Sequence, residues 1–82
     1  MPRYIDYHEK LPDLSQEAVA QIQSDIRASR GDAHGVVPID VYIGAGGQAY
    51  CVADAPSAEA VRRSHQAKGL SAGDVVEVTS LA

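Results

Sequence analysis

From Arg3 to His8 the chain alternates, with Ile5 and Tyr7 on one side and Tyr4, Asp6 and His8 on the other. A period of two predicts a strand. Pro12 and Asp13 interrupt the pattern. Ser15 then reads as a helix N-cap, with Leu14 and Val19 placed to form a hydrophobic staple across it. Val19, Ile22 and Ile26 recur at helical spacing, and Gly31 reads as the C-terminal cap residue. A second strand is predicted over Gly35 to Ile43, with Val37, Ile39, Val41 and Ile43 on one face. Pro38 cannot donate a ladder hydrogen bond, so this strand belongs at a sheet edge. Gly44 to Gly47 predicts a hairpin turn. The third strand runs from Gln48 to Ala53, with the small residues Ala49, Cys51 and Ala53 on one face. A second helix follows Pro56, capped by Ser57 and ending at Gly69 with Lys68 in its last turn. The fourth strand is Asp74 to Ser80, where Val76 and Val78 alternate with Val75, Glu77 and Thr79.

The order β-α-β-β-α-β predicts an α+β, ferredoxin-like sandwich: an antiparallel sheet of order 4-1-3-2 with two helices on one face. That order puts the second strand on an edge, as Pro38 requires. If the aliphatic side of each strand meets the helices, the open face carries Tyr4, Asp6, His8, Asp40, Tyr42, Gln48, Tyr50, Val52, Val75, Glu77 and Thr79. Three of the four tyrosines then lie on one bare face. Tyrosine buries area while keeping a polar handle, which suits an interface. The expectation is a homodimer joined through this face.

Length supports that expectation. Eighty-two residues make a single domain, 1–82, and a chain so short buries only about 60% of the surface it exposes unfolded. With no Trp or Phe, small aliphatics carry the core. The formal charge of −4 argues against nucleic acid, whose binders cluster Lys and Arg. Arg62 and Arg63 read as an exposed helix face. The single cysteine allows no internal disulfide framework. No apolar run nears the roughly 18 residues of a membrane span, and the opening residues lack a signal-peptide core. A cytoplasmic location is the default expectation.

The candidate chemistry is a metal site. Asp6 and His8 leave the same side of a strand about 6.5–7 Å apart, and a carboxylate and an imidazole so spaced can share a divalent cation. The same spacing fits an ordinary exposed strand end. Imidazole suits nickel, copper and zinc. Glu77, on the neighbouring strand, is a candidate ligand or a partner that holds an imidazole. His65, four residues after Val61, can approach His8 at one end of the fold, or simply sit at the negative pole of its helix. Cys51 reads as a small core residue. His34, beside Gly35, carries no further signal.

These residues carry a resemblance. The opening M-P-R-Y-I-D-Y-H is similar to the M-P-x-[YF]-[MI]-D-x-H start of small actinobacterial nickel-binding, nickel-responsive proteins. The stretch Y-C-V-A-D-A-P-S-A-E-A-V-R-R-S-H-Q-A-K-G-L resembles their Y-C-L-x-E-A-P-S-x-E-A-V-x-x-x-H-x-x-x-G, and G-D-V-V-E-V their last strand. The resemblance implies a ferredoxin-like fold, a homodimer and nickel binding, and it carries over Asp6, His8, Cys51 and His65 as matching positions. Asp54 departs from the usual Glu, and many relatives have a second histidine where this chain has only Lys68 and Gly69. The expected function is a non-enzymatic nickel buffer or sensor, with other divalent transition metals possible. The alternatives are a cofactor-free dimeric α+β barrel enzyme, with Tyr4, Tyr50 and His8 lining a pocket between two sheets, and a plain dimerisation or ligand-binding module.

Overall fold

The computed structural model describes residues 1–11 and 13–82; the interruption expected at Pro12 lies outside them. The elements run β1 (Arg3–His8), α1 (Gln16–Ala28), β2 (Val37–Ile43), β3 (Ala49–Asp54), α2 (Ala58–Ala67) and β4 (Val75–Val78). The sheet order is β2-β3-β1-β4, and every pairing is antiparallel. This is the α+β sandwich the pattern predicts. Pro38 lies on edge strand β2, and the pairing with β3 shifts register between Pro38 and Asp40, where a bulge accommodates the missing donor.

Both helices start where their caps predict. The hydroxyl of Ser15 accepts from Ala18 N at 3.1 Å, and that of Ser57 from Ala60 N at 3.1 Å. The first helix stops two residues short of Gly31. Ser29 turns left-handed (φ 50°), and Arg30 N–H donates to the Asp25 carbonyl at 2.9 Å. The Arg30 side chain also pairs with the Asp25 carboxylate, but it is the left-handed Ser29 and its backbone hydrogen bonds that end this helix in place of glycine.

The sheet faces differ from the expectation on two strands. Tyr4 and Asp6 are buried beneath the helices, and Glu77 is on the same side, because Tyr4 stands opposite Ala53 and Glu77, and Asp6 opposite Cys51 and Val75. Directly opposed residues share a face. His8, opposite Ala49, is therefore also on the helix side. The placement of Tyr4, Asp6, His8, Val75 and Glu77 on the open face is thus corrected. The physical reason lies in β3. Ala49, Cys51 and Ala53 are small, and the space they leave under the helices admits the larger polar side chains of β1.

The core is small: Tyr4, Val36, Ala55 and Val61, with Ala53, Ala58, Ala60 and Val75 packed against it. The Tyr4 hydroxyl donates to Glu77 Oε1 at 3.3 Å. The open face instead carries Ile5 between Val52 and Val76, and Tyr50 between Tyr7 and Tyr42. Three tyrosines still lie there, with Tyr7 replacing Tyr4. The Tyr7 and Tyr50 rings are 5.2 Å apart and tilted by 50°.

The inner face of α2 is held by Val61 and Ser64, both 2% exposed. The Ser64 hydroxyl donates to Asp32 Oδ2, and Asp32 Oδ1 accepts from the backbone of His34 and Val36. One carboxylate thereby ties α2 to the segment that enters β2. Ser64→Ala leaves that oxygen without its buried donor. It is expected to lower stability by about 1–3 kcal/mol, read from urea melts.

Candidate metal centre

Four donors from three elements meet at one end of the sandwich. Asp6 and His8 come from β1, Cys51 from the adjacent β3, and His65 from the last turn of α2. One ligand atom from each lies within 4.8 Å of all the others. Asp6 is the deepest, at 2% exposure. His65 Nε2 is 2.6 Å and His8 Nε2 3.4 Å from Asp6 Oδ2. The two imidazoles stack, with centroids 5.2 Å apart and planes 24° apart.

Sequence spacing explains each arrival. The period of two sends Asp6 and His8 to one side of β1. Antiparallel register sets Cys51 opposite Asp6. The helical period brings His65 one turn past the anchored Val61. The His65 ring also reaches back to that turn, with Nδ1 2.8 Å from the Val61 carbonyl oxygen. A carbonyl only accepts, so Nδ1 carries a proton. Nε2 and the Asp6 carboxylate must then share either a second proton or a cation.

The electrostatics express that choice. Burial pushes the Asp6 carboxyl up, but the hydrogen bond and charge of His65, the charge of His8 and the Cys51 thiol together hold it below the ordinary carboxylate value. The hydrogen bond that His65 donates to Asp6 raises the His65 pKa, against the opposing effect of burial. Burial, followed by the adjacent Asp6 charge, pushes the Cys51 thiol up to about 12. Neither oxygen of Asp6 has a hydrogen-bond partner of regular geometry among the described residues, despite the close His65 contact. A buried carboxylate without such partners is costly, and a cation would satisfy it. Two imidazoles, a carboxylate and a thiol suit a late first-row divalent metal better than magnesium or calcium. The residues fit a transition-metal ion.

Of the residues singled out from sequence, Asp6, His8 and His65 converge here. Glu77 does not join them and holds the Tyr4 hydroxyl instead. His34 lies in the loop before β2. The strand pattern makes Cys51 a core residue, and the resemblance alone sets it with Asp6, His8 and His65. Its partly buried position between small neighbours fits the core reading, yet its sulfur also belongs to the donor group. The signal was its cross-strand register with Asp6, which no local pattern states.

Fold and donor cluster define a small ferredoxin-like protein with a candidate transition-metal site. The family described as nickel responsive protein, SCO4226-like, matches residues 4–78, and the chain belongs to it. The crystal structure of SCO4226 from Streptomyces coelicolor A3(2) is similar, with a TM-score of 0.71 and 28% identity over 98% of this chain and 99% of that one. No curated protein matches.

The thiol supplies a test. Its folded-state pKa of about 12 lies above the ordinary 9.0. The stability this shift represents is fully present below the unfolded value and is lost as pH rises from there toward the folded value. Metal-free protein is therefore expected to lose stability above about pH 9 more steeply than Cys51→Ala does. Iodoacetamide at pH 8 should alkylate the folded protein roughly a hundredfold more slowly than the unfolded chain. Equal rates would show that the thiol is not shielded.

Proposed function

We propose that this protein binds nickel at the Asp6, His8, Cys51 and His65 cluster and acts without catalysis, as a cytoplasmic nickel buffer or sensor. The observation that carries this reading is the cluster itself: two imidazoles and a thiol around a buried carboxylate that lacks regular hydrogen bonds. The family's printed description as nickel responsive supports the choice of metal. Donor chemistry alone would favour copper(II) over nickel, so availability selects the ion. Nickel competes with the proton that Asp6 helps His65 retain. Affinity should therefore weaken as pH falls, starting above the ordinary histidine value of about 6.5.

The test is titration calorimetry of nickel into the parent and single variants, each checked for native circular dichroism. His8→Ala and His65→Ala are each expected to lose roughly tenfold or more in affinity, by analogy with the cost of disturbing metal ligation. His34→Ala should bind like the parent. Cys51→Ala should lose the thiolate-to-nickel charge-transfer absorption. If both His8→Ala and His65→Ala bind like the parent, the site is wrong.

The proposed working form is a homodimer joined through the open sheet face. The rows Val52–Ile5–Val76 and Tyr42–Tyr50–Tyr7 support it. Val76 is 54% and Tyr42 59% exposed, in a domain with little apolar surface to spare. Sedimentation should give a dimer at micromolar concentration and a monomer for Tyr50→Glu, which puts a charge in the middle of the tyrosine row. A monomeric parent refutes the dimer and leaves the metal site untouched.

A further inference from the structure

Between α1 and the sheet, next to the donor cluster, lies a cavity of about 380 Å³. Leu14, Val19, Ile22, Ile26, Val41 and Ile43 form much of its wall, and His8, Cys51 and His65 lie on it together. Protein interiors are otherwise close-packed, with few voids larger than a water molecule. Here α1 buries none of its residues fully, and Val19 and Ile22 keep 39% and 36% of their surface exposed. The helix therefore has an apolar stripe aimed at the sheet that the sheet does not fill.

An apolar chamber with a few polar groups brought together is the usual form of a small-molecule site, and its volume is at the low end of the roughly 300–1,000 Å³ such sites occupy. A cavity of about 150 Å³ holds benzene, so this size suits a body of one to two rings rather than a large cofactor. The charge of the occupant also follows. Asp6 already supplies a carboxylate behind His8 and His65, and the chain is net negative. An anionic head would be repelled, and a cationic head would compete with the metal.

We propose that this cavity binds a small neutral organic molecule, an apolar body bearing one neutral donor atom, with the donor directed at His8, Cys51 and His65. The donor end rests on the metal reading above; the apolar end does not.

The probes are 4-phenylimidazole, which has ring and donor, and imidazole, which has the donor alone. Both are titrated into nickel-loaded and metal-free protein and followed by methyl NMR. In nickel-loaded protein the phenyl ring is expected to tighten binding about tenfold or more, from the apolar area it buries, with shifts at Val19, Ile22 and Ile26. In metal-free protein the same methyls should shift at higher probe concentration. Ile22→Trp, which fills the chamber, should abolish the advantage of the phenyl ring while still binding nickel. Equal affinity for the two probes, methyl shifts confined to the open sheet face, or an Ile22→Trp protein that keeps the phenyl advantage would each overturn the proposal. If the protein takes up no nickel, the metal reading fails, and the metal-free methyl shifts still decide the cavity.

Discussion

The Asp6 carboxylate is the group around which the rest of the structure is arranged. It is almost fully buried, and burial of a charge is tolerated only beside partners that compensate it. Those partners come from three elements: His8 on its own strand, Cys51 across the ladder and His65 from α2. The carboxylate must face the helices to reach His65, so the whole polar side of β1 turns inward with it. Tyr4 then enters the core, and Ile5 and Tyr7 turn outward.

That inversion has a cost and a consequence. The core beneath the helices is thin, because part of its volume is given to polar side chains. Small residues on β3 and the Ser64–Asp32 hydrogen bond help hold α2 in place. Meanwhile the apolar residues displaced from the core collect on the far side of the sheet, as a valine-isoleucine row and a tyrosine row. One carboxylate thus links the inner cluster to the character of the outer face. The two helices are also unequal. α2 is anchored and carries a donor, while α1 stands over an apolar chamber and buries no residue fully.

Much of this was legible in the chain. Alternation, cap residues, Pro38 and the glycine turn are local signals, and they determined the six elements and their order. Topology then followed, because a split β-α-β pair with a prolyl edge strand has few ways to close. The donors Asp6 and His8 were legible as a pair, since a strand's period of two is a property of the backbone alone. Which side of β1 faces the helices was not legible. Alternation states that two faces exist and does not say which is buried when one holds Ile5 and Tyr7 and the other Tyr4, Asp6 and His8. The usual preference for burying aliphatics pointed the wrong way, because it weighs each strand alone. Register between strands decided the matter: once Asp6 stands opposite Cys51 and Tyr4 opposite Ala53, all must share the face where β3 is small. For the same reason the inclusion of Cys51 in the cluster and the turning of Glu77 to Tyr4 belong to the tertiary structure, since both depend on contacts between residues far apart in sequence.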